Sequence, residues 1–260
     1  MFETHGTKAA QKGGDPVPPI QPSRSPQYPT TDRITLDGGR PRLRKTPATS
    51  RAVRRIPKSS KGHFVGELVF NRGNQPQRLG FGSKGEHDTA LCLIYRPDFA
   101  DLEEQLAALT FSRPNGKPSH HFFDFRLTQT SGRRICISVK PERIAERADY
   151  RAMFECVKRA AIGNICDAAI TVTERHRDPV VLHNAKLFHA ARDPQPEIDA
   201  LIERGLRDCT GPTPICEFLA GIGLGGAGFF GMARAIRFGH AVLLGLEKIT
   251  SNTLITAKAA

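Results

Sequence analysis

His120-His121-Phe122-Phe123-Asp124-Phe125-Arg126-Leu127, a turn at Ser131-Gly132, and the run Arg134 to Lys140 (Arg-Ile-Cys-Ile-Ser-Val-Lys) decide the reading of this chain. Ile135, Ile137 and Val139 alternate with other residues, the period-two pattern of a strand with one buried face. Two strands joined through Ser131-Gly132 form a hairpin that sets Asp124 beside Ser138, Val139 and Lys140. Side chains alternate along a strand, so Ser138 and Lys140 share one face. A carboxylate between Phe123 and Phe125 is costly to desolvate unless a cation or a metal partners it.

Working outward, Leu106 to Phe111 and a Pro114-Asn115-Gly116 turn lead into the His120 segment, which implies three adjacent antiparallel strands. Phe64 to Phe70 reads as a strand followed by a turn through Pro76. Ser83 to Tyr95 reads as an amphipathic helix stopped by Pro97, with Ala90, Leu91, Leu93 and Ile94 as its apolar set. Downstream, Glu142 to Ala161 reads as one helix and Ala168 to Val172 as a short buried strand. Helix, three strands, helix, strand is the order of an α/β sandwich.

Three places in this order could carry chemistry: Glu86 in the first helix, Asp124, and Ser138-Val139-Lys140 at the end of the last hairpin strand. Phosphodiester cleavage needs hard oxygen ligands for Mg²⁺ or Mn²⁺ and a lysine to steady the attacking water. Each residue also has a plain structural role open to it. Ser83-x-x-Glu86 is a capping box, Asp124 is within reach of Arg126 or Lys140, and a lysine at a strand end is commonly solvated. Histidine spacing offers no zinc set: His120 and His121 point to opposite faces of a strand, and Glu174-Arg175-His176, His183 and His189 match no ligand pattern.

A helix Glu, a strand Asp and a strand ending in x-x-Lys resembles the PD-(D/E)xK nuclease arrangement. The surroundings are similar to the N-terminal domain of TnsA-type transposon endonucleases: Gly82-Ser83-x-x-Glu86, Leu102-Glu103-Glu104-Gln105, Phe123-Asp124 and Val139-Lys140-Pro141, over roughly residues 62–176. The resemblance implies a restriction-endonuclease-like mixed-sheet sandwich with Glu86, Asp124 and Lys140 as the catalytic set. The metal would lie on Glu86, Asp124 and the Val139 backbone carbonyl, with Ser138 and Gln105 as further members. The acid of the (D/E)xK triplet is here Ser138, a departure that removes one charge and weakens metal affinity. It also implies double-stranded DNA as substrate and a separate transposase as partner.

The chain has 260 residues and a formal net charge of +12, from 38 Lys+Arg against 26 Asp+Glu, which favours a polyanion such as nucleic acid or an anionic membrane. Residues 1–60, rich in Pro, Gly, Ser, Thr and Arg, read as a disordered basic arm. Arg40, Arg42, Arg44, Lys45, Arg51, Arg54, Arg55 and Lys58 are its candidate phosphate contacts; a solubilising tail has the same composition. Six cysteines stand singly among apolar neighbours and read as small buried side chains in a reducing compartment. The expected setting is a bacterial cytoplasm, in association with the nucleoid.

The nuclease-like unit is expected over 61–192, with a linker around Asp193-Pro194 and Pro196. The 193–260 region reads as a small helix-turn-helix or winged-helix-like module: a helix over Glu197 to Leu206, a second from Pro214, a third carrying Phe229, Met232, Ala233 and Ile236, and a wing strand within Val242 to Leu246. The TnsA resemblance extends to such a module, which that family uses to contact a partner protein. Its glycines and scarcity of polar side chains argue against a reader of base edges. Gly221-x-Gly223-x-x-Gly226 imitates a dinucleotide fingerprint but follows a helical pattern instead of a strand. The apolar run Ile215 to Ala233 holds Glu217 and several glycines, a poor membrane span. Two other functions compete: a non-catalytic DNA-binding adaptor on a nuclease fold, and a transcriptional regulator whose C-terminal helices bind an operator.

Overall fold

A computed structural model describes residues 36–37, 40–41, 45–54, 64–73 and 75–258. Leu36–Asp37 (β1) and Arg40–Pro41 (β2) form a short antiparallel ladder. The chain from Lys45 onward forms a second unit. It begins with the hairpin Gly66–Arg72 (β3) and Gln75–Phe81 (β4), helix Lys84–Ile94 (α1) and strand Phe99–Glu104 (β5). Leu109–Ser112 (β6), Pro118–His121 (β7), Phe125–Gln129 (β8) and Arg134–Val139 (β9) follow, then helices Glu142–Ala145 (α2) and Ala148–Ala161 (α3) and strand Ala168–Val172 (β10). The remainder is Pro179–Ala190 (α4), Pro196–Arg207 (α5), Thr213–Pro214 (β11), Ile215–Gly221 (α6), Phe229–Arg237 (α7), Ala241–Leu243 (β12) and Leu254–Ala257 (β13). The class is mixed α/β, with several small sheets and seven α-helices among the described residues.

The largest sheet has four strands in the order β10-β9-β8-β5, with β10 parallel to β9 and the other pairs antiparallel. A parallel pair needs a long crossover, and α2 and α3 supply it. Alternation then divides the strands between two cores. Leu102, Phe125, Leu127, Ile137 and Val139 pack with Leu91 and Ile94 of α1 and Ala185 of α4. Cys136 and Ala169 face the other way, onto Phe154, Val157 and Ala161 of α3 and the β6–β7 hairpin residues Leu109 and Phe111.

The sequence-based reading differs from this fold in several places. The segment expected as one strand from His120 to Leu127 is two. β7 pairs with β6 in a separate sheet, the chain bends over 122–124, and β8 joins the main sheet. Glu142 to Ala161 is likewise broken, because Arg147 adopts an extended backbone (φ −63, ψ 134) between α2 and α3. β5 was not anticipated, since Asp101, Glu103 and Glu104 obscure its period. Each acid has a partner: Arg51 and Arg72 on Asp101, Arg126 on Glu103, and Ser50 on Glu104.

Residues 45–54, expected as the end of a disordered arm, are held on this unit. Ala48 bridges Gln77, the Val53 amide donates to the Gln105 carbonyl, and Arg51 forks onto both oxygens of Asp101 at 2.8 Å. The stretch expected as a linker at 193–196 is a tight corner. Buried Arg234 of α7 bonds the Ala191 carbonyl, Gln195 and Asp199 there, and Leu187 and Phe188 of α4 pack on the third core with Ile202, Phe218 and Met232. Among the described residues no single helix is long and apolar enough to cross a membrane; the Ile215 to Ala233 run folds into helices that meet at 110°.

Arg51→Ala removes the strongest fastening of the 45–54 segment and leaves Asp101 with Arg72. The expected loss is about 1–2 kcal/mol of local stability, discounted for partial exposure. Hydrogen exchange should quicken at the Ala48 and Val53 amides, with core amides of β8 and β9 unchanged.

Candidate active site

The bend over 122–124 exists because Asp124 satisfies backbone on both sides of it. Its amide donates to the Ile137 carbonyl (3.0 Å), and its own carbonyl accepts the Gln105 amide (2.8 Å). Its carboxylate then replaces a carbonyl as the partner of β9: the Val139 amide donates to Asp124 Oδ2 at 2.8 Å. Lys140 Nζ lies 3.4 Å from the same oxygen and 3.1 Å from the Val139 carbonyl oxygen. Asp124 is buried, and Lys140 keeps about a third of its side chain exposed. The expected juxtaposition of Asp124 with the 138–140 segment is therefore present, with the ammonium between two oxygens of the kind that bind hard cations.

Glu86 reaches this group from the first turn of α1. The capping box is formed: Ser83 Oγ accepts from the Glu86 amide (3.1 Å), while Glu86 Oε1 accepts from Ser83 Oγ and Oε2 from the Gly82 amide (2.8 Å). Capping and proximity to the site coexist. Burial, reinforced by the negative charge of Asp124, pushes the Glu86 carboxyl above its usual range; the cap donors and Lys140 pull the other way. Two carboxylates that repel one another, with a lysine as nearby cation, form a locus of unbalanced negative charge.

Ser138 is fully buried, and its hydroxyl is 2.8 Å from His121 Nε2. Ser138 and Lys140 thus serve different partners, although they share a strand face. The His121 imidazole is held neutral at physiological pH, pushed down to about 4 by burial first and by Lys140 second. His121 is the residue that sequence reasoning overlooked, having weighed it only as a zinc ligand. Its contact with Ser138 depends on the 122–124 bend, which hydrophobic periodicity does not reveal.

Gln105 backs the site without presenting its side chain to it. It is the only non-glycine residue with positive φ (44°) among the described residues, and its Oε1 accepts from Arg54 at 3.0 Å. Such strain persists where surrounding bonds over-determine it. Of the basic candidates, Arg51 is committed to Asp101, and Arg54 to Gln105 and the Phe122 ring, 5.4 Å to its centroid. Both therefore fasten the 45–54 segment to the fold. Lys45 is exposed, and Arg40 belongs to β2. Arg42, Arg44, Arg55 and Lys58 lie outside the described residues.

Among the described residues no three His, Cys, Asp or Glu side chains gather as a metal cluster. The donors at the site are two carboxylates and a peptide carbonyl. An oxygen set of this size suits Mg²⁺ or Mn²⁺, which retain several waters, and does not suit zinc. The repulsion between Glu86 and Asp124 is what such a cation would relieve, so these residues fit the group. No protein-family model and no curated protein sequence matches the chain.

A buried acid with a raised pKa is most favourable to folding when protonated, below its ordinary value of 4.5, and that contribution is lost as pH rises through the raised value. Relative to wild type, Glu86→Gln should therefore gain stability between pH 4.5 and neutrality. Thermal melts of both proteins across that range measure the difference; a difference independent of pH would contradict the raised pKa.

Proposed function

We propose that this chain is a metal-dependent DNA endonuclease of the PD-(D/E)xK kind, similar to TnsA-type transposon endonucleases. One observation carries the reading: Asp124 Oδ2 is shared by the Val139 amide and the Lys140 ammonium, within the field of Glu86. The four-stranded mixed sheet with helices on both faces supports a restriction-endonuclease-like sandwich, and α6, α7 and the β12–β13 pair support a winged-helix-like module.

Glu86, Asp124 and the Val139 carbonyl would hold Mg²⁺ or Mn²⁺. When bound, such an ion offsets charge on the phosphate oxygens and lowers the pKa of a water. Lys140 would release the Val139 carbonyl and orient the attacking water while stabilising negative charge that develops in the transition state. The water oxygen bonds to phosphorus as the bond to the 3′ oxygen breaks. The water's proton passes to solvent and the 3′ oxygen takes one up, leaving a 5′ phosphate and a 3′ hydroxyl. In a TnsA-like role the cut falls at the 5′ ends of a mobile element, with a separate transposase cutting the 3′ ends.

A second reading, a DNA-binding adaptor that no longer cleaves, draws on the neutral Ser138, whose hydroxyl is already engaged by His121. Nicking of supercoiled plasmid separates the two. Wild type should nick with Mg²⁺ or Mn²⁺, and Lys140→Ala should lose on the order of 10²–10³ in rate. Ser138→Asp restores the missing charge and should lower the Mg²⁺ concentration needed. DNA binding without nicking in wild type and in Ser138→Asp would support the adaptor.

A further inference from the structure

A cleft of about 680 Å³ opens between the β6–β7 hairpin and helices α2 and α3. Its lining includes Arg113 and His121 from the hairpin and Arg147, Tyr150 and Met153 from the helical side. Hydrogen bonds tie the cleft to the candidate active site. His121 holds Ser138 Oγ at 2.8 Å, and the Tyr150 hydroxyl holds Thr171 Oγ1 at 2.9 Å. Ser138 and Thr171 are cross-strand partners on β9 and β10, and the next residues of the chain are Val139, which ends β9, and Lys140. The cleft therefore ends one residue from the atoms that grip Asp124.

Its chemistry is aromatic within and cationic at the edge. Tyr150 lies parallel to Phe154, at 5.7 Å between centroids and 10° between planes. Arg147 pairs with Asp149, but exposed Arg113 has no carboxylate partner among the described residues. A flat apolar surface beside a guanidinium suits a base and its phosphate, and the volume lies in the range of small-ligand pockets. A base stacked within a duplex cannot enter such a cleft; an unpaired one can.

We propose that this cleft takes an unpaired nucleotide of the substrate strand beside the scissile phosphate, so that the protein prefers DNA with a frayed or single-stranded end over blunt duplex. The inference rests on the endonuclease reading and assigns its substrate form. Tyr150 provides the stacking surface and Arg113 the phosphate contact.

The test is fluorescence anisotropy with the full chain in EDTA, using a labelled blunt duplex and the same duplex with an unpaired end. Wild type is expected to bind the unpaired end more tightly. Tyr150→Ala and Arg113→Glu should each reduce that preference about tenfold. Arg113 is exposed on the hairpin, so its variant isolates binding from folding. Arg133→Glu carries the same charge change in the turn that precedes β9, outside the cleft lining, and should keep the preference. Equal affinity for both DNAs in wild type, or an unchanged preference in Arg113→Glu, would overturn the cleft assignment while leaving metal-dependent nicking intact. Failure of wild type to bind either DNA, in EDTA and again with Ca²⁺ in its place, would overturn the endonuclease reading and the cleft assignment together.

Discussion

The hydrogen bond from the Val139 amide to the Asp124 carboxylate organises this molecule. A side chain takes the place of a main-chain acceptor at the end of β9, so the chain must leave the sheet over 122–124, and β7 is released to pair with β6. That departure turns His121 onto Ser138 and creates the hairpin that walls the cleft. The same carboxylate oxygen draws in Lys140 at 3.4 Å. A charge-assisted bond to a backbone amide is about twice as strong as a neutral one. The bend and the site are thus consequences of one interaction.

The price of this arrangement is electrostatic. Burial first, and the negative charge of Asp124 after it, disfavour Glu86 in its charged form despite two cap donors. An assembly selected for stability alone would separate the two carboxylates. Under the proposed endonuclease reading a cation would relieve this repulsion, and lost stability at a functional site is a common exchange. Ser138 moderates the cost, since a third carboxylate here would add to the repulsion. Its hydroxyl is satisfied by a neutral imidazole.

Much of the site could be read from spacing. The hairpin period brought Asp124 beside the 138–140 segment, and Ser83-x-x-Glu86 marked both the start of α1 and an acid in its first turn. Other features were hidden for identifiable reasons. β4 carries Pro76, Gly80 and alternating glutamines, and β5 is half acidic, so neither shows an apolar period. Arg51 was read with its basic neighbours as a solvated run, whereas its partner Asp101 is 50 residues away in sequence. Long-range pairing of charges leaves no local mark. The break between β7 and β8 was invisible because Phe122 and Phe123 look like strand residues on either side of it.

The account stands on a metal site that requires Asp124. Its most direct test is calorimetric titration of Mn²⁺ into the full chain, with and without a short DNA duplex, comparing wild type with Asp124→Ala. Binding in wild type that DNA strengthens and Asp124→Ala abolishes is the expected result. Absence of binding in wild type under both conditions, or equal binding in Asp124→Ala, would contradict a cation at Asp124 and favour a DNA-binding protein that does not cleave.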